Sequence, residues 1–241
     1  MADEDDPAQL HKALEALEAG YDQTLCALSA ALDVRAQETP GHSERVAAYT
    51  LELAAAMGIT DAPLLTQIRR GAVLHDVGKI AIPESILRKP GPLNAEEWRL
   101  MRRHPEIGYH ILQGIPMLQE AAQIPLCHHE RWDGSGYPRG LRGAEIPLPA
   151  RLFAIADWLD AITSDRAYRQ AETFEKARAV IAEASGSQFD PEAVSAFLSV
   201  PLGRWQEIRR HTQSTSTLLE AFTGGGFRRR TPRGVEMLFP D

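Results

Sequence analysis

Apolar residues recur along the chain at steps of three and four, between short stretches rich in Gly, Pro and charge. That period belongs to amphipathic helices. Over residues 8 to 33 the apolar face is Leu10, Leu14, Leu17, Tyr21, Leu25, Leu28 and Leu32. The near-heptad spacing offers that face two partners, its own domain or a second copy in a homodimer. Gly20 and the short length weigh against the second.

A helix from Ser43 to Met57 is expected to stop at Gly58, with Thr60 as the next cap and Pro63 in the following first turn. Leu64, Leu65, Ile68, Ala72 and Leu74 then carry an apolar face toward His75. Asn94, followed by Glu97, predicts a capped helix start. His104 and Pro105 end that helix and begin another. Residues 117 to 130 read as helical, with Pro125 as a kink or interruption.

"WDGSGYPRGLRGAEIPLP" is a loop. Leu152, Ile155, Leu159 and Ile162 predict a helix from Ala150 to Thr163, and two more follow near 174–184 and 191–199. Asp190 and Pro191 form a cap and first-turn proline for the last of these. No alternating strand and no internal repeat is visible, so the expected class is all-α. The chain divides into an N-terminal helix (1–35), a main domain (36–200) and an extension (201–241). The extension's "TGGGFRRRTPRG" reads as a flexible basic tail.

Composition narrows the function. The 241 residues are 44% hydrophobic and 24% charged, with a net charge of −7. This excludes a general attraction to nucleic acid or acidic membrane. An anionic substrate would have to be held by metal ions or a few Arg and Lys. Cys26 and Cys127 are the only cysteines. They make neither a disulfide framework nor a thiolate metal site, and they suit a reducing cytoplasm. The start, "MADEDDPAQL", lacks the features of a signal peptide. No apolar run approaches the roughly 18 residues of a membrane span.

The candidate chemistry lies in the histidines and the acids beside them. Asp157 sits within "FAIADWLDAI" and Asp76 follows "GAVLH". An unpaired carboxylate in such apolar surroundings is costly, so each calls for a cation or strong donors. Imidazole and carboxylate without thiolate suit Fe, Mn, Co, Ni or Zn. Asp76 beside His75 is the right dyad for bridging two ions, which could clamp a phosphoryl group. "CHHE" poses a puzzle, because adjacent helical residues point about 100° apart. Either one of His128 and His129 is structural, or the site holds more than one ion.

"GHSERV", "HDVGKIAIPESIL", "HPEIG", "HHERWDGSGYP" and "ADWLDAITSDRAYR" occur in that order. Together they closely resemble the HD-GYP family, a branch of the HD-domain metal-dependent phosphohydrolases, over roughly residues 20 to 200. The resemblance implies an HD-domain helical bundle with a multinuclear metal site. It implies a cyclic di-GMP phosphodiesterase of bacterial signalling, yielding pGpG, GMP or both by attack of a metal-bridging hydroxide. The alternatives are an HD hydrolase of another cyclic dinucleotide or nucleotide, and a non-catalytic adaptor docking on a diguanylate cyclase.

By the same resemblance the metal ligands are Glu38, His42, His75, Asp76, His104, His128, His129 and Asp157. They would hold two or three divalent ions, Fe or Mn, with Glu38 the extra acid of three-ion members. Lys79 would reach the scissile phosphate, making Asp76 and Lys79 the catalytic pair. Arg166, Tyr168 and Arg169 would bind substrate. Gly136, Tyr137 and Pro138 would shape the site mouth or contact a diguanylate cyclase. Asp160 is expected to orient neighbouring groups. Ala36 departs from the family's usual acid.

Overall fold

Helix α2 (His42–Ala56) packs against α3 (Ala62–Val73) and α8 (Leu148–Thr163), and these three form the centre of the apolar core. The structure is a computed structural model describing residues 7–165 and 169–222, with side chains to residue 212. Among the described residues there is no β-strand, and Ser185 and Phe189 form an isolated bridge. The all-α expectation holds.

The other helices are α1 (Pro7–Ala36), α4 (Glu84–Leu87), α5 (Ala95–Met101), α6 (His104–Gln113) and α7 (Gln123–Cys127), then α9 (Phe174–Glu183), α10 (Pro191–Ser199) and α11 (Leu202–Phe222). A 3-10 segment, Val77–Ala81, links α3 to α4 and packs on α6. That crossing needs glycine. A Cβ on Gly78 would lie 1.9 Å from His104 O and 2.6 Å from Gly108 N.

Local signals explain most boundaries. α2 ends where Gly58 takes φ 76 and Ile59 N bonds Ala54 O (3.0 Å), a glycine-terminated helix end. Asn94 and Glu97 form a reciprocal capping box at α5. Asp190 accepts from Glu192 N and Pro191 opens α10. Two expectations are corrected. The cap of α3 is Asp61, whose carboxylate accepts from Leu64 N (2.9 Å), not Thr60. Residues 117 to 130 are not one helix: a 3-10 turn covers Pro116–Leu118, and α7 spans only Gln123–Cys127.

α1 has two halves. Residues 7 to 20 are exposed throughout, while Leu25, Ser29 and Asp33 are buried against the bundle. At the other end, Trp205 and Ile208 of α11 enter the same core. Arg166, Tyr168 and the basic stretch beyond residue 222 lie outside the described residues.

Candidate metal centre

Three histidines reach the site by one device. His75 follows the end of α3, His104 follows the end of α5 and opens α6, and His128 caps the end of α7. In each, Nδ1 bonds a carbonyl of the helix just ended: Ala72 O (2.9 Å), Met101 O (2.7 Å) and Pro125 O (2.8 Å). The last carbonyls of a helix lack intrahelical partners. Each imidazole therefore satisfies one of them while fixing its own ring. A carbonyl only accepts, so Nδ1 carries the proton and Nε2 of the neutral ring is a lone pair.

Those lone pairs converge. His104 Nε2 and His128 Nε2 are 3.2 Å apart. Asp76 Oδ1 lies 3.3 Å from His104 Nε2, and Asp76 Oδ2 lies 3.2 Å from His75 Nε2. Two such imidazole acceptors, His104 Nε2 and His128 Nε2, repel without a proton between them, and a cation between them reverses the sign. The donor chemistry thus fits divalent ions bound by imidazole and carboxylate.

Two groups of three donors could each hold an ion. One is His104, His128 and His129; the other is His42, His75 and Asp157. Asp76 belongs to neither group but faces both, through its two oxygens. Glu38 stands outside them, 3.3 Å from Lys79 Nζ, whose other contact is Asp76 Oδ2 at 2.5 Å.

The adjacent pair His128–His129 finds its resolution here. The helix stops at Cys127, so the 100° rule of a continuing helix does not apply. The two rings lie 4.0 Å apart between centroids, in one donor group.

The GYP segment organises this group from outside. The Tyr137 ring stacks on His129 at 4.7 Å and 24°. Tyr137 N donates to His129 O (3.1 Å). A Cβ at position 136 would meet His129 O at 2.5 Å, so the backbone passes only as glycine. Pro138 follows through a cis bond. The buried Glu130 accepts from Arg139 N and Leu141 N and closes the loop.

On the other side Asp160 is almost fully buried. It accepts from His42 Nδ1 (2.8 Å) and Arg45 Nε (2.6 Å), and so orients the His42 ring toward Asp157. A carboxylate bonded in this way to one ring nitrogen would fix the orientation of a metal-binding imidazole.

Charges follow the layout. Burial holds His128 and His129 well below the usual imidazole range. Burial, helped by Lys79, lowers His104 to about 4. Burial opposes charge on His42 too, but the hydrogen bond to Asp160 and the nearby Glu38 raise it to about 10. His75 is also raised: Asp76 outweighs its burial. Burial disfavours the Asp76 carboxylate, yet Lys79 and His75 hold it well below its usual range.

Arg169 donates to Ala161 O at the end of α8 (2.5 Å). Arg35, Arg45 and Glu130 also brace the site. Their partners are main-chain atoms, the Thr39 hydroxyl and the distant Asp160, which leave no periodic pattern in the sequence.

A family profile described as "HD domain" matches residues 27–193. A cyclic di-GMP phosphodiesterase of Thermotoga maritima is 45% identical over 170 residues, covering 70% of this chain and 46% of the relative. A 3'3'-cGAMP-specific phosphodiesterase of Vibrio cholerae is 41% identical over 183 residues, covering 75% and 34%. The chain thus spans less than half the length of these curated relatives. Among solved structures, a cyclic GMP-AMP specific phosphodiesterase of V. cholerae aligns with a TM-score of 0.60 at 19% identity, over 77% of this chain and 52% of that one. That likeness is one of fold.

Proposed function

We propose, for a chain that belongs to the HD domain family in its HD-GYP branch, metal-dependent hydrolysis of a phosphodiester bond in a cyclic dinucleotide. Cyclic di-GMP is the first candidate, with pGpG or GMP as product. The observation that carries this reading is the convergence of imidazole lone pairs on Asp76, whose two oxygens face two donor groups. When bound, divalent ions there supply an activated water and Lewis-acid pull on the phosphoryl oxygens.

The residues of the chain do the rest. His42, His75 and Asp157 would hold one ion, and His104, His128 and His129 the other, with Asp76 shared. The Lys79 ammonium would offset negative charge building on the phosphoryl group. Asp160 and Tyr137 would keep the His42 and His129 rings in place. Arg169, Arg166 and Tyr168 would contact phosphate or base, an arginine fork being well matched to phosphate.

Fe or Mn suits the donor set. Glu38 lies 3.3 Å from Lys79 Nζ and near enough to His42 to raise it, so the site would hold two ions, or three with Glu38 as the extra acid. The free thiols of Cys26 and Cys127 support a reducing, cytoplasmic setting.

Two partners are proposed. Residues 7 to 20 form a helix with no buried side chain, and an isolated helix of that length is marginal in water. Leu10, Leu14 and Leu17 at heptad-like steps are 65%, 53% and 70% exposed. A second copy of this chain would cover them. A diguanylate cyclase would meet the exposed rim of the GYP loop at Ser135, Arg139 and Gly140.

The second substrate reading is 3'3'-cGAMP, favoured by the V. cholerae relative. Turnover of both dinucleotides by metal-loaded protein separates the two. A higher kcat/KM for cyclic di-GMP supports the first reading, and a higher value for 3'3'-cGAMP replaces it with the second. Binding of either without turnover would make the protein an adaptor.

A further inference from the structure

α1 ends against the turn that carries Lys79. Ser29 Oγ donates to Val73 O (2.6 Å). Further along the same helix, Arg35 Nη1 donates to Lys79 O and Nη2 to Ile82 O, both at 2.7 Å. These carbonyls close the 3-10 segment Val77–Ala81, where Ile82 N also donates to Lys79 O (3.0 Å). Short 3-10 segments have poorly directed bonds of their own. The guanidinium adds two charge-assisted ones from outside. Its charge also complements the carbonyl end of the segment.

The Lys79 side chain leaves this same turn toward Asp76 and Glu38. Glu38 follows Arg35 closely, on backbone held by Glu38 N to Asp33 O (2.9 Å) and by Gln37 at φ 59. One stretch, residues 33 to 38, thus holds both the main chain beneath Lys79 and the acid facing its ammonium.

We propose that Arg35 is a positioning residue for Lys79: by bridging Lys79 O and Ile82 O it sets where the Lys79 ammonium stands. This rests on reading Lys79 as the cation that meets phosphoryl charge. A lysine at position 35 would keep the charge but lose the planar fork that spans two carbonyls. Arg35 is half-buried at the edge of the bundle, so its loss opens the turn rather than the core.

Two measurements on the full chain test this. The first is hydrogen exchange read by mass spectrometry in Arg35→Gln and Arg35→Lys. Amides of residues 77 to 82 are expected to exchange about tenfold faster or more, with α2 and α8 unchanged. Unchanged exchange over 77 to 82, or an equal rise in α2 and α8, would overturn the proposal. The second is a double-mutant cycle on turnover, with metal content measured in every variant. Arg35→Gln is expected to lower kcat by roughly tenfold to a hundredfold with KM within about twofold, and to cost nothing further in a Lys79→Ala background. Arg35→Lys should not restore kcat. Equal losses in both backgrounds would show that Arg35 does not act through Lys79. If the unaltered protein turns over no cyclic dinucleotide, the reading of the site fails by itself, and the exchange result still decides the role of Arg35.

Discussion

His104 and His128 face each other Nε2 to Nε2 at 3.2 Å, each with Nδ1 pinned to a main-chain carbonyl. Two lone pairs at that distance are unfavourable unless a cation joins them. Replacing His128 by Ala should therefore remove about one metal ion per chain, since a three-donor site loses a ligand. It should also abolish much of the rise in Tm produced by Mn(II). Metal counting by mass spectrometry of the native protein checks this; an unchanged ion count would contradict it.

The histidines also set the pH response of the metal-free chain. His104 is lowered to about 4, against an unfolded value near 6.5. Between those values the unfolded chain binds the extra proton, so stability falls as pH drops from about 6.5 toward 4. His128 and His129, held low by burial, act in the same direction. His42 is raised to about 10. Its contribution is present below about 6.5 and is lost as pH rises through 10. Tm of the metal-free protein should peak near pH 6.5. Bound metal needs His42 unprotonated, so it should flatten the alkaline decline. A metal-free Tm that climbs steadily from pH 6.5 to 9 would contradict the assignment for His42.

Gly78 carries the crossing between the Lys79 turn and α6. An alanine there would place Cβ 1.9 Å from His104 O and 2.6 Å from Gly108 N. Both are main-chain atoms, so neither gives way as a side chain would. Gly78→Ala is expected to cost about 1–3 kcal/mol or more in urea denaturation, and to reduce metal binding by moving His104. Gly114, whose added Cβ would sit 3.6 Å from Ile111 O, serves as the tolerant control. Equal effects at the two glycines would rule out the close crossing as the cause.

Asp160 joins His42 to Arg45 in a buried ion pair. Asp160→Asn keeps the shape and removes the charge. Breaking such a pair costs on the order of 3–5 kcal/mol, because the Arg45 guanidinium is left buried beside a neutral amide. Loosening the His42 ring should also weaken metal affinity by about 10–100-fold. Titration of Mn(II) into the variant measures this separately from stability. Full metal affinity in a destabilised protein would confine Asp160 to packing.

Much of the architecture is visible in local pattern. The capping box at Asn94 and Glu97, the stop at Gly58 and the apolar stripe of α8 rest on neighbours in sequence. The end of α7 does not. His128 diverts the Pro125 carbonyl to its own Nδ1, and this competes with helix continuation in a way periodicity does not register. The donor residues stand out because acids and imidazoles on apolar helices are costly. Their sorting into two groups is a matter of tertiary placement, since His42 meets Asp157 across the α2–α8 contact. The Arg35 clamp is invisible for a further reason: its acceptors are main-chain carbonyls, which every residue possesses.

The most direct test of the central claim is one assay. Protein purified without oxygen and loaded with Fe(II) or Mn(II) is incubated with cyclic di-GMP, products are separated by chromatography, and metals are counted in the same sample. The account predicts pGpG or GMP from protein holding at least about two ions per chain, and loss of both metal and product in Asp76→Ala. Full activity and full metal content in Asp76→Ala would contradict it.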